Sequence, residues 1–110
     1  MSDAADLASL LALIRERKSA RADKSYTRQL LDAGVERCAK KFGEEAVEAV
    51  IASLGQDRIA LKKEAADVVY HLLVLLECQQ VNFEDVVTEL KVRMRQSGLE
   101  EKASRPRSET

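Results

Sequence analysis

The chain has 110 residues, about the length of one domain. With 45% hydrophobic, 34% charged and only 4% aromatic residues, its core must be built from Leu, Val, Ile and Ala. The formal net charge of −1 carries no basic bias towards a nucleic-acid partner, and Cys38 and Cys78 lie too far apart for a CxxC metal or redox pair.

Residues 3–18 are expected to form a first helix, with Leu7, Leu10, Leu11 and Ile14 at helical spacing and Arg15, Arg17 and Lys18 at its C-terminal end. A polar joint over residues 19–25 leads to a short helix over 26–33, which Gly34 stops. The next helix, over 35–54, carries Val35, Cys38, Ala39, Phe42, Ala46, Ala49 and Val50 on its apolar face and closes at Gly55. Asp57 caps a fourth helix running to about residue 79. Asn82 and Asp85 have the spacing of a capping box for a last helix over 83–96, with Val86, Val87, Leu90 and Met94 facing the core and Gly98 as its stop. The charged tail, residues 98–110, is expected to be frayed. There is no strand alternation and no repeat. The expected fold is all-α, a four- to five-helix bundle in a single domain over residues 1–97.

The longest apolar stretch, residues 68–76, is too short to span a bilayer, so no membrane partner is expected. The acidic N-terminus lacks the layout of a secretory signal, and the expected compartment is the cytoplasm. Between Ala65 and Leu76 only Asp67, Tyr70 and His71 carry polar side-chain atoms. A helix apolar all round must be covered all round, which four other small helices in one subunit can hardly do. A second subunit is therefore expected against it, and the outer face of the third helix, with Val47 and Ile51, joins that contact.

Five carboxylates carry the chemistry: Glu44, Glu45 and Glu48 on the third helix, Glu64 and Asp67 on the fourth. At about 100° per residue, Lys41, Glu45 and Glu48 share one stripe, and Glu64, Asp67 and His71 share another. The short connection at residues 55–57 makes the two helices antiparallel neighbours, which brings residues 45–48 level with 64–67. Four carboxylates, Glu45, Glu48, Glu64 and Asp67, then converge, while Glu44 points about 100° away from Glu45. Like charges in a half-buried space do not all stay ionised without cations. The oxygen-only donor set favours Mg²⁺, with Mn²⁺ as a substitute, and a single His excludes the paired Glu-x-x-His arrangement of di-iron bundles. The chemistry this suggests is metal-assisted hydrolysis of a phosphoanhydride. The plainer alternative is that Glu44, Glu45 and Glu48 form a solvated surface; Glu64 and Asp67 fit that less well, because Val68, Leu72 and Leu75 set their stripe beside the core.

Lys40 and Lys41 either neutralise phosphate oxygens or pair with Glu44 and Glu45 four residues on. The basic residues Arg15, Arg17, Lys18, Arg21, Lys24 and Arg28 either form a solvated face or reach over the acids to a polyanionic substrate. His71 fits a hydrogen-bonded core histidine better than a ligand, and Tyr70 a packed residue with its hydroxyl satisfied. Gly43 weakens its helix by about 1 kcal/mol against Ala, and admits a close helix or a ligand beside Glu44.

Ser25-Tyr26-Thr27 with Leu30-Leu31, the run from Lys40 to Glu48 (KKFGEEAVE), the run from Glu64 to Leu76 (EAADVVYHLLVLL) and the Phe83-Glu84-Asp85-Val86 start together closely resemble phosphoribosyl-ATP pyrophosphatases, across roughly residues 5–96. The paired acids alone are shared with the wider all-α nucleoside-triphosphate pyrophosphatases, including MazG proteins and dimeric dUTPases. The Ser-Tyr-Thr element and the Ala-Ala-Asp-x-x-Tyr-His-Leu-Leu run narrow the choice. The resemblance implies hydrolysis of phosphoribosyl-ATP to phosphoribosyl-AMP and pyrophosphate, the second step of histidine biosynthesis, with Mg²⁺ and in a homodimer. Carried onto this chain, the metal ligands are Glu45, Glu48, Glu64 and Asp67. The expected chemistry is attack of water on the α-phosphorus, with Glu44 or Glu48 taking the proton and Lys40, Lys41 and a basic side chain such as Arg28 gripping the phosphates. The alternatives are a pyrophosphatase of the same fold acting on a nucleotide such as dUTP or dCTP, and a non-catalytic helical dimerisation module.

Overall fold

Gly34 is the joint on which the first half of the chain turns. Its φ of 98° and ψ of 174° fall in a region essentially confined to glycine. It ends one helix and begins the next within a single residue. The computed structural model describes residues 6–21 and 25–95, which form α1 (Leu7–Arg17), α2 (Tyr26–Ala33), α3 (Val35–Leu54), α4 (Arg58–Cys78) and α5 (Phe83–Met94). Among the described residues there is no strand, and the all-α expectation holds. Lys24, Gly98 and the tail lie outside the described residues.

Helix ends follow local chemistry, with two corrections to the expected ones. The first helix starts at Leu7 rather than residue 3, because Asp6 is extended and its carboxylate accepts the Ser9 N–H at 2.8 Å. Asn82 precedes α5, but its side chain makes no capping hydrogen bond, so the capping box does not form; the Asp85 N–H bonds the Asn82 carbonyl instead, at 3.0 Å. Asp57 does cap α4, accepting from the N–H groups of Ile59 and Ala60 at 3.1 Å. Ser25 caps α2 through the Arg28 N–H, also at 3.1 Å.

The core joins Leu11 and Ile14 of α1, Leu30 of α2, Cys38 of α3 and Leu73 and Val74 of α4. It occupies the half of the α3–α4 hairpin away from the turn. Glu77, nearly buried on α4, accepts from Arg15 Nε at 3.0 Å and Lys18 Nζ at 3.2 Å, and Arg15 also reaches Glu84 of α5. That network clamps α1, α4 and α5 together. Towards the turn the hairpin stands alone. Val47, Val50, Ile51, Leu54 and Ile59 are each more than half exposed. Val50 was expected on the inner face, but it points outward, as do Leu90 and Met94 of α5. The carboxylates lie between this bare half and the core.

Candidate active site

Antiparallel packing of α3 and α4 sets Glu45 and Glu48, one turn apart, against Glu64. One carboxylate oxygen from each of the three lies within 4.8 Å of the others. Glu45 and Glu64 are half-buried and Glu48 is exposed, so the group opens to solvent on one side. Burial, and then the charges of Glu48, Asp67 and Glu45, push the Glu64 carboxyl above its ordinary range. Glu64 Oε1 is buried and accepts no hydrogen bond from any described residue. A buried carboxylate oxygen without a donor is unfavourable, and so is a third negative charge beside two others. A hard divalent cation among the three oxygens would relieve both, so the donor set fits such an ion.

Asp67 lies one turn beyond Glu64. It is exposed and stands outside the close trio, yet near enough for its charge to raise the Glu64 carboxyl. Glu44, also exposed, faces Lys41 rather than the trio: Lys41 Nζ is 3.6 Å from Glu44 and 3.8 Å from Glu45. Lys40 borders a groove of about 540 Å³ with Gly43, Glu44, Val47 and Glu48. Gly43 has no atom within 4 Å of where a Cβ would stand, so its missing side chain leaves open space on α3. Arg28 is not gathered to the carboxylates. Its guanidinium is held by Asp32 at 2.9 Å and by the Ala20 carbonyl at 3.0 Å, beside a cavity it shares with Lys18, Glu77 and Cys78.

The aromatic neighbours of the site form a second layer. The Tyr70 hydroxyl meets Thr27 Oγ1 at 2.6 Å, which satisfies it as expected. His71 is a buried core histidine whose Nδ1–H donates to the Asp67 carbonyl at 2.9 Å, and whose Nε2 has no hydrogen-bond partner among the described residues. Tyr26 stacks on Tyr70, a contact that no periodicity announces; its only sequence signal is its place in the Ser-Tyr-Thr element.

The sequence profile of the phosphoribosyl-ATP pyrophosphohydrolase family matches residues 7–94, the whole of α1 to α5. The chain belongs to that family. A phosphoribosyl-ATP pyrophosphatase of Agrobacterium fabrum is 53% identical over 100 residues, which is 91% of this chain and 94% of the relative. Another, of Azorhizobium caulinodans, is 51% identical over 106 residues, 96% of this chain and 97% of the relative. A third, of Nitrobacter hamburgensis, is 54% identical over 98 residues, 89% and 92% of the two chains. Membership of a phosphoribosyl-ATP pyrophosphohydrolase family agrees with the site: a cluster of acids suited to a cation, with lysines beside it, is chemistry for a phosphoanhydride. No helix among the described residues is long and apolar enough to cross a membrane.

Proposed function

We propose that this chain hydrolyses phosphoribosyl-ATP to phosphoribosyl-AMP and pyrophosphate, the second step of histidine biosynthesis. The observation that carries the reading is the Glu45–Glu48–Glu64 trio, within 4.8 Å, in a chain about half identical to named phosphoribosyl-ATP pyrophosphatases along most of its length. Glu45, Glu48 and Glu64 hold the cation, and Asp67 joins them from the next turn of α4. Mg²⁺ is the natural occupant, and when bound it supplies positive charge against the triphosphate oxygens and the departing pyrophosphate. Mn²⁺ substitutes for it.

The rest falls to the chain's own side chains. Glu48 and Glu44 border the site from its open side, and one of them accepts the proton of the water that attacks the α-phosphorus. Lys41 stands within 4 Å of Glu44 and Glu45 and passes its charge to phosphate oxygens as they enter. Lys40 lies one turn before Glu44 and serves the outer phosphates. Neither cysteine takes part, since Cys38 is buried in the core with its thiol donating to the Leu30 carbonyl at 3.2 Å.

A second copy of the chain covers the bare half of the hairpin, where Val47, Val50, Ile51, Leu54 and Ile59 are exposed together. A homodimer through this face borders Glu44 and Glu48. The catalytic unit is the single domain over residues 1–97, in the cytoplasm.

The test is pyrophosphate release from phosphoribosyl-ATP with and without Mg²⁺, beside dUTP and dCTP. Turnover of phosphoribosyl-ATP that needs the metal is expected. Turnover of a deoxynucleotide alone would overturn the substrate, and no release from any of them would overturn the hydrolase.

A further inference from the structure

Tyr26 is held more firmly than its exposure suggests. Its ring lies over Tyr70, with centroids 6.3 Å apart and planes 19° from parallel. His71 stands edge-on to both, 6.2 Å from the Tyr26 centroid and 4.9 Å from that of Tyr70. Each supporting ring is fixed in turn: Tyr70 by the Thr27 hydroxyl, His71 by burial and by the Asp67 carbonyl. Tyr26 is nevertheless 48% exposed, so about half of its surface is open beside these contacts. A rigid aromatic face turned to solvent suits a flat ligand.

Its position fits the site. His71 follows Asp67 by one turn of α4, about 6 Å of axial rise, and follows Glu64 by two turns, about 10 Å. The ribose of a nucleotide crosses a gap of that order between its base and its phosphates. The purine of a substrate whose triphosphate sits at the carboxylates therefore falls near Tyr26.

Charge gives the face a purpose. The argument rests on the proposed reaction, in which the substrate is an adenine nucleotide substituted at ring N1. Alkylation at N1 leaves the adenine ring positively charged near neutral pH, whereas the ring of ATP is neutral. In that reaction the carboxylates and lysines serve the triphosphate, which the two nucleotides share, so telling the two apart falls to a contact elsewhere. A cationic ring over a tyrosine face gains cation–π attraction in addition to stacking, and a neutral ring gains stacking alone. We propose that Tyr26, backed by Tyr70 and His71, is the shelf that receives the cationic purine and favours the N1-substituted nucleotide over ATP.

The test uses the full chain as wild type, Tyr26→Phe and Tyr26→Leu, with 1-methyl-AMP and AMP as probes that contain no anhydride to hydrolyse. Titration calorimetry should show wild type and Tyr26→Phe binding 1-methyl-AMP more tightly than AMP, and Tyr26→Leu binding both alike. With phosphoribosyl-ATP and Mg²⁺, Tyr26→Leu should raise KM about ten-fold at nearly unchanged kcat, in keeping with the loss of one stacked base contact. Equal binding of the two probes by wild type overturns the shelf, and needs no variant to fold. So does a Tyr26→Leu protein with unchanged KM, or one that loses kcat alone. Absence of turnover by wild type with the 1-methyl-AMP preference intact overturns the reaction but supports the shelf. Turnover without the preference overturns the shelf alone.

Discussion

Thr27 and Tyr70, 43 residues apart in sequence, share a hydrogen bond of 2.6 Å between their hydroxyls. Thr27 is buried and Tyr70 half-buried, so the bond ties the first turn of α2 to α4 one residue before His71. Thr27→Val keeps the shape and removes the partner. It is expected to lower stability by about 1–2 kcal/mol, the loss of one hydrogen bond with a buried hydroxyl left behind. Urea unfolding at neutral pH measures it, and an unchanged midpoint would show that Tyr70 finds water instead.

Glu64 links pH to metal binding. Its carboxyl is raised by burial and by Glu48, Asp67 and Glu45, so the folded apo protein holds that proton more tightly than the unfolded chain does. The sign follows: this contribution to stability is present below the ordinary carboxylate range and is lost as pH rises through the raised value. Without divalent ions, the melting temperature should therefore fall as pH rises from about 4 through the raised value, and Glu64→Gln should flatten the fall. Mg²⁺ at pH 7 should raise the Tm of the wild type and leave that of Glu64→Gln nearly unchanged.

Glu48 is exposed on α3, and its carboxylate lies with those of Glu45 and Glu64. Glu48→Gln should reduce pyrophosphate release about 100-fold or more with helix content by circular dichroism unchanged. Asp67→Asn should reduce it as well, because the proposed cation site includes the fourth acid. Full activity in Glu48→Gln would remove the basis for a shared cation.

Glu77 accepts from both Arg15 and Lys18 with its own side chain only 9% exposed. The two cations are partly solvated, which moderates the effect of losing it. Glu77→Gln is expected to destabilise by about 1–2 kcal/mol, and by less in high salt. Hydrogen exchange at Leu11 and Ile14 should quicken first, because α1 loses its clamp to α4.

The Cys38 thiol is pushed up to about 11, chiefly by burial and then by neighbouring Cys78. At pH 8 it stays protonated and enclosed, whereas half-buried Cys78 borders a solvent cavity. One thiol of the folded protein should react with a thiol reagent at that pH, and two after denaturation. Mass spectrometry of the labelled peptides assigns them.

Much of this molecule was legible from residue order, because helix formation is local. The bounds of α2 and α3, the Asp57 cap and the stop at Gly34 each depend on side chains within a few residues. The acids were legible for the same reason: a period of 3.6 puts Glu45 with Glu48 and Glu64 with Asp67, and a three-residue turn faces the two pairs. Local rules misled where two local outcomes compete. Asp6 took the cap that the expected start at residue 3 overlooked, and Asn82 left its cap unused because the Asp85 N–H is satisfied by a backbone carbonyl.

Sequence alone thus determined the all-α class, the two acidic stripes and their nearness. Tertiary structure decided which acids meet: Glu45, Glu48 and Glu64 close up while Asp67 stays at the edge, because the helix axes and side-chain directions set distances of a few ångströms that a period of 100° cannot specify. It also gave Arg28 the Asp32 carboxylate and the Ala20 carbonyl as partners, away from the trio, and it built the Tyr26–Tyr70–His71 stack from two distant segments. Contacts between residues far apart in the chain depend on how whole helices pack, and no short window of sequence contains that information.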